Sequence, residues 1–207
     1  MIGSFDRREV IGAAVLAVAV IGVSAAVVRS KRAPESEAPT ERQLAVARQV
    51  AQVLIPRTDT PGGADVGADK FLVLALAHGL DGTRGPDAGG AIQGATVRYR
   101  RSDGSLDHLA WLERELDDRS QGNFITAPLA RQQAALQMID KAAFATHQTT
   151  GPWPKIKGLL LTGYYTSEAG GSKELNYELV PGRFDPDLPL KPGMHAYSSD
   201  WTAVEFG

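Results

Sequence analysis

The 207-residue sequence contains no cysteine. This absence excludes disulfide bonds, thiolate zinc sites, iron–sulfur clusters and covalent attachment of haem c, since each of them needs a cysteine side chain. The sequence also lacks a strong excess of charge, because 22 basic and 24 acidic residues give a net charge of −2. Such a chain has no electrostatic footprint of a nucleic-acid-binding protein. We therefore expect no nucleic acid among its partners.

Several motifs of enzymes are absent as well. Ser167 has no Gly-x-Ser-x-Gly elbow, and no His-Glu-x-x-His spacing for a catalytic zinc ion occurs. The glycine-rich segment 79–104 contains no phosphate-binding loop, and there is no dinucleotide fingerprint. We therefore expect no catalytic residue, metal site or cofactor in this chain. The four histidines are scattered, and sequence alone leaves a catalytic triad open.

The N-terminal segment, residues 1–28, has the pattern of an export signal or membrane anchor. Arg7 and Arg8 precede an unbroken apolar run of 19 residues, from Val10 to Val28. As a helix this run would span about 28 Å, which is close to the thickness of a bilayer core. A pair of arginines before an apolar run is typical of a twin-arginine signal. We therefore expect an exported or membrane-tethered protein.

The fate of this segment stays open. Small residues at 24–26 would suit a signal peptidase, whereas basic residues at 29, 31 and 32 are unusual after a cleavage site. Residues 29–42 are charged and carry prolines without apolar periodicity, so we interpret them as a linker. Residues 43–207 then form the folded subunit domain.

The folded part is predicted to be mainly α, as an irregular helical bundle. Thr40 and Gln43 form a capping box before a first helix that ends at Pro56. Four more helices are expected. One runs from Asp69 to His78, one begins at Ser105, one begins at Thr126 and Pro128, and one runs from Pro154 to the tyrosines. The apolar positions predicted to face the core include Leu44, Ala47, Val50, Ala51, Leu54, Leu106, Leu109, Leu112, Leu116, Leu129, Leu136, Ile139 and Ala143.

Two further segments give weaker predictions. Residues 95–101 are expected to form a short strand, and Arg98, Arg100 and Arg101 to lie on its solvated edge rather than in an anion site. The tail, residues 171–207, has four prolines and no helical period, yet it is too aromatic for ordinary disorder. We expect it to pack partly on its own helices and partly on a partner chain. Its aromatic residues are Tyr177, Phe184, Tyr197, Trp201 and Phe206.

The stretch Gly163–Gly171 contains adjacent tyrosines, Tyr164 and Tyr165, followed by Thr166, Ser167 and Glu168. Neighbouring side chains on a helix point about 100° apart. We therefore predict that one tyrosine enters the core and the other faces outward as an interface anchor.

Two stretches together resemble the gluconate 2-dehydrogenase subunit 3 family. The first is Ile55–Gly62 with Ala64 and residues 66–68, and the second is Leu161–Glu168 with Tyr177 and residues 180–182. The resemblance covers roughly residues 40–185. The positions that carry the motifs or are candidates for an interface are Asp59, Thr60, Pro61, Gly163, Tyr164, Tyr165, Thr166, Ser167, Glu168, Tyr177 and Trp201.

The resemblance implies a small, noncatalytic subunit of a periplasmic sugar or polyol dehydrogenase. Its partner would be a flavoprotein of the glucose–methanol–choline type that carries FAD, and a multihaem cytochrome c often completes such a complex. The small subunit would assist maturation, export and stability of the flavoprotein. Two alternatives remain at this point: a membrane-tethered hydrolase that uses Ser167, and a tethered adaptor without a redox partner.

Overall fold

The computed structural model describes residues 38–84, 94–145, 151–177, 187, 189 and 191–198. Apart from Ala38, all of them belong to one unit, Pro39–Gly207. The predicted signal with Arg7 and Arg8, the loop 85–93, and the aromatic residues Phe184, Trp201 and Phe206 lie outside the described residues.

The described part is mainly α-helical, as predicted. The α-helices are α1 (Glu41–Leu54), α2 (Ala68–His78), α3 (His108–Ser120), α4 (Leu129–Ala143) and α5 (Trp153–Tyr165). Two short 3-10 helices, Leu80–Gly82 and Gly94–Tyr99, and a π-helical turn, Gly170–Glu174, lie between or after them. Two short strands, β1 (Leu175–Tyr177) and β2 (Ala196–Ser198), pair in parallel with Asn176 opposite Tyr197.

Helix α1 begins with the predicted capping box. The Thr40 hydroxyl accepts from the Gln43 amide nitrogen at 3.2 Å, and the Gln43 side chain accepts from the Thr40 amide nitrogen at 3.0 Å. Arg42, which we had placed in the linker, lies in the first turn. It binds Glu113 and, at 2.7 Å, Asp117, so the start of α1 is tied to α3.

The core forms where the apolar faces of the five helices meet. Most of the predicted core positions are buried, including all four leucines from Leu106 to Leu116. Leu54 is only half-buried, and Leu44 and Leu129 are exposed, with 41% and 58% of their surface accessible. Leu44 lies at the edge of the buried face of α1, whose centre is formed by Val46 and Val50. Leu129 is the first residue of α4, and the buried part of that helix begins only at Gln132.

Helix α3 begins later than predicted. Asp107, rather than Ser105, caps it and accepts from the Ala110 amide nitrogen at 3.0 Å. Leu106 is nevertheless buried, because it lies in an isolated bridge opposite Arg100.

The predicted strand over residues 95–101 is wrong, because Gly94–Tyr99 forms a 3-10 helix. Within this stretch only Arg100 forms a β-bridge, opposite Leu106, so the stretch does not pair with a neighbouring strand. The expected solvated edge fails at Arg101, whose side chain is only 7% exposed and pairs with Asp107 at 3.1 Å. Arg98 stacks on the ring of Tyr99, 4.9 Å from its centroid.

The described part of the tail includes the β1–β2 pair, which the sequence did not predict. Each strand has three residues, and about 20 residues separate them along the chain. Tyr197 is 51% exposed, so this aromatic side chain of the tail does not enter the core.

Buried His108 predicts a loss of stability in acid. Burial lowers the pKa of His108 to about 4, and its Nδ1 lies 3.0 Å from the Leu106 carbonyl oxygen. The unfolded chain binds a proton at this residue near pH 6.5, so the free energy of unfolding should fall as pH decreases from about 6.5 to about 4. The loss is at most roughly 3 kcal/mol. Urea unfolding at several pH values measures it.

The control is a pair of substitutions. H108N should remove most of the fall in the free energy of unfolding over this pH range. H78N, a substitution at an exposed histidine, should leave that fall unchanged. An unchanged slope in H108N would contradict the assignment.

Candidate interaction site

The first motif segment forms the turn between α1 and α2, and its glycines allow it to lie against the end of α1. The Gly63 amide nitrogen donates to the Ile55 carbonyl oxygen at 2.8 Å. A Cβ atom on Gly63 would lie 2.5 Å from the Ala51 carbonyl oxygen, so no larger residue fits without a shift. The turn is therefore held tightly against α1.

The turn is closed by the carboxylate group of Asp65. One oxygen of Asp65 accepts from the Gly62 amide nitrogen at 2.9 Å, and the other pairs with Arg57 at 2.8 Å. The Arg57 hydrogen bond, followed by the Gly62 hydrogen bond, lowers the pKa of Asp65. Asp59 is exposed, so its carboxylate remains at the surface.

The second motif segment forms the end of α5 and packs against α2. Gly163 lies beside Phe71, and a Cβ atom at this position would lie 2.9 Å from the Phe71 Cβ atom. Gly163 thus allows α5 to approach α2 closely. This contact fixes the position of Tyr164, the next residue of α5.

Tyr164 connects both motif segments to the start of the tail. Its side chain is 2% exposed, and its hydroxyl oxygen lies 3.1 Å from the Pro61 carbonyl oxygen and 3.2 Å from Glu174 Oε1. The Thr60 hydroxyl donates to the same Glu174 oxygen, and Thr58 Oγ1 lies 3.2 Å from Thr60 Oγ1. We call Thr58, Thr60, Pro61, Tyr164 and Glu174 the hydroxyl cluster.

The electrostatics of this cluster keep the phenol of Tyr164 protonated. Burial raises the pKa of Tyr164 above 10, the Thr60 hydrogen bond opposes this shift, and the carboxylate of Glu174 adds to it. At neutral pH the hydroxyl group therefore remains a donor. Its surroundings do not prepare it for proton abstraction.

The side chains of Tyr164 and Tyr165 point in different directions, one into the core and one outward, as predicted. Tyr165 is 43% exposed, and its ring stands edge-on to that of Tyr164, with the centroids 5.2 Å apart. Thr166 and Glu168 are exposed beside it, and the Thr166 hydroxyl donates to the Thr162 carbonyl oxygen at 2.6 Å. One aromatic and two polar side chains therefore form an outward-facing surface at the end of α5.

The hydroxyl group of Ser167 is hydrogen-bonded to the backbone at the end of α5. It donates to the Tyr164 carbonyl oxygen at 2.6 Å and accepts from the Gly170 amide nitrogen at 3.1 Å. Among the described histidines, Nδ1 of His108 lies against the Leu106 carbonyl and Nδ1 of His195 lies 3.2 Å from the Glu174 carbonyl. None of them is hydrogen-bonded to Ser167, so the described part of the chain gives this serine no general base.

The remaining candidate residues fall in the tail. Tyr177 lies in β1 and pairs with Ser198 of β2 through the backbone. Glu174 completes the hydroxyl cluster and Phe71 completes the α2–α5 contact, and neither residue was predicted. No local pattern points to Glu174, because it lies 114 residues from Thr60.

The described residues contain neither a metal-binding cluster nor a membrane-spanning helix. They contain no group of three or more His, Asp or Glu side chains placed to hold a metal ion. Within the same residues, no helix is long and apolar enough to span a membrane. The apolar run from Val10 to Val28 is not among the described residues.

The sequence matches the model of a known protein family. The model of a family described as gluconate 2-dehydrogenase subunit 3 matches residues 41–182. The matched range includes all five helices and both motif segments. No curated protein and no solved structure matches the chain.

The hydroxyl cluster predicts different effects of removing the two tyrosine hydroxyl groups. Y164F should lower the free energy of unfolding by about 1–2 kcal/mol, because the Pro61 carbonyl loses its donor in a partly buried place. Y165F should change it by less than about 0.5 kcal/mol, because its side chain is exposed. Urea unfolding of both variants measures the difference, and equal effects would argue against the cluster.

The contact between α2 and α5 predicts opposite effects of two glycine substitutions in one helix. G163A should destabilise the chain by about 1–3 kcal/mol, because the new methyl group meets Phe71. G158A should stabilise it by up to about 1 kcal/mol, because nothing lies within 4 Å and alanine favours helix. Thermal unfolding compares them, and a stabilising G163A would exclude the close approach.

Proposed function

The chain belongs to the gluconate 2-dehydrogenase subunit 3 family, and we propose that it is the noncatalytic small subunit of a periplasmic, membrane-associated dehydrogenase for gluconate, another sugar or a polyol. Its helical body binds the catalytic subunit, a flavoprotein of the glucose–methanol–choline type that carries FAD. A multihaem cytochrome c completes the complex. The observation that carries this proposal is the family match, which extends over the whole helical body.

The use of the motif side chains supports a binding role. The hydroxyl groups of Tyr164 and Ser167 hold together parts of this chain, rather than being presented to a substrate. Tyr165 projects outward beside Thr166 and Glu168. An exposed tyrosine with polar neighbours is a typical anchor of a protein interface, because it offers apolar area and a hydrogen-bonding group at low entropic cost.

The N-terminal segment supports a role in export. Arg7 and Arg8 precede the apolar run and match the paired arginines of a twin-arginine signal. In this proposal the flavoprotein lacks a signal of its own and crosses the membrane bound to the signal-bearing small subunit. The small subunit thereby determines where the flavoprotein matures and stabilises it there.

The two alternatives have less support. A hydrolase that uses Ser167 needs a base at its hydroxyl group, and the described residues place a peptide carbonyl there. A tethered adaptor without a redox partner would share the localisation, but no flavin would purify with it. The flavin content of the native complex therefore separates this alternative from the proposed function.

Export is tested by the double variant R7K/R8K, coexpressed with the flavoprotein that purifies with the wild-type chain. We expect both proteins to remain in the cytoplasm, because lysine keeps the charge but not the arginine pair of the signal. Cell fractionation with flavin absorbance measures the distribution. Periplasmic flavin at the wild-type level would exclude the export role.

The control variant is S167A. It should leave dehydrogenase activity per bound flavin unchanged, since Ser167 acts as a structural group. If the isolated wild-type chain has a hydrolytic activity that S167A abolishes, the hydrolase alternative is correct instead.

A further inference from the structure

A groove of about 480 Å³ runs between α1 and α2, and none of the residues that line it belongs to the hydroxyl cluster. Leu44 lies on the α1 side, and Val73 and Leu74 lie on the α2 side. Leu44 is 41% exposed and Leu74 is 58% exposed, although both belong to helices that pack in the core. Apolar side chains that face each other across an open groove are typical of a surface that a partner covers.

Asp69 makes this groove more specific than an apolar patch. It lines the groove and is only 7% exposed, and its Oδ1 atom has no hydrogen-bond partner among the described residues. A buried carboxylate oxygen without a donor destabilises a protein. Its position in the first turn of α2 offsets part of this penalty through the helix dipole. A donor supplied from outside would offset the rest.

The rim of the groove is positively charged. Arg48 and Lys70 are exposed and line it, and neither donates to Asp69 Oδ1. The groove therefore presents an apolar floor, one buried acceptor and two cations at its edge. A complementary ligand has apolar side chains, one donor aimed at Asp69 and acidic flanks.

We propose that this groove binds an amphipathic helix of the flavoprotein subunit, an inference that rests on the proposed function. The apolar face of that helix packs between Leu44 and Leu74, and one of its lysine, arginine or amide side chains donates to the carboxylate group of Asp69, which lines the groove. The α2 side of the groove extends from Asp69 to Ala77, which corresponds to about 12 Å, or two helical turns. This is the length at which two or three anchor side chains engage a groove between two helices.

The first test compares two leucines of equal exposure. Leu74 lies in the groove, whereas Leu129 lies at the start of α4, and each is 58% exposed. The full-length variants L74D and L129D are coexpressed with the flavoprotein, and its capture is titrated. We expect L74D to weaken binding at least about tenfold, as loss of an interface anchor does, and L129D to bind like the wild type. L44D, from the opposite side of the groove, should reproduce the effect of L74D.

The second test uses Asp69, where binding and stability should change in different ways. D69N keeps the size of the side chain but removes its charge, so we expect weaker capture of the flavoprotein. The melting temperature of the free chain should be unchanged or higher, because removal of the buried, unpaired negative charge outweighs the lost helix-dipole interaction. A lower melting temperature without weaker capture would show that Asp69 is a structural residue, and would overturn its role in pairing.

The outcomes separate this inference from the proposed function. If the wild-type chain captures no flavoprotein, the proposed function fails. If the wild type and a folded L74D capture it equally, only the groove assignment fails. One further result would overturn the assignment: a wild-type dimer that L74D converts to a monomer, because this would indicate a second copy of the chain in the groove.

Discussion

The hydroxyl group of Tyr164 joins three parts of the molecule that are distant in sequence. It contacts the turn between α1 and α2 at Pro61 and the start of the tail at Glu174. Two glycines make this possible. Gly163 lets α5 approach Phe71 of α2, and Gly170 lets the chain reverse over Tyr164, because a Cβ atom there would collide with the Tyr164 carbonyl oxygen. The outward surface around Tyr165 and the position of β1 both depend on this arrangement.

Local patterns were sufficient to predict much of this fold. The capping box at Thr40, the end of α2 at Gly79 and the divergence of the two tyrosines each follow from the geometry of a single helix. Contacts between distant segments were not predictable in this way. The Thr60–Glu174 hydrogen bond spans 114 residues, and no periodicity of either segment encodes it. The exposure of Leu44 likewise depends on where α2 lies beside α1, which the pattern of α1 alone does not determine.

The side chains of the motifs and the features that indicate a binding surface lie in different parts of the molecule. Motif side chains that resemble catalytic groups, such as Ser167, are hydrogen-bonded to the backbone and stabilise the end of α5. Features that are costly for an isolated chain lie elsewhere, at the exposed Leu74 and the unpaired oxygen of Asp69. Natural proteins tolerate such features mainly where function requires them. In this account the motifs build a rigid body, and the surfaces of that body bind the flavoprotein.

The account depends most on the claim that this chain is a binding subunit of a flavoprotein dehydrogenase. Affinity purification of the full-length chain from its native membrane, followed by identification of the co-purifying chains and by flavin spectroscopy, tests it most directly. The account predicts a flavoprotein of the glucose–methanol–choline type in a fixed ratio to this chain, with the flavin absorbance confined to the complex. Recovery of the chain as a free monomer without flavin would contradict it.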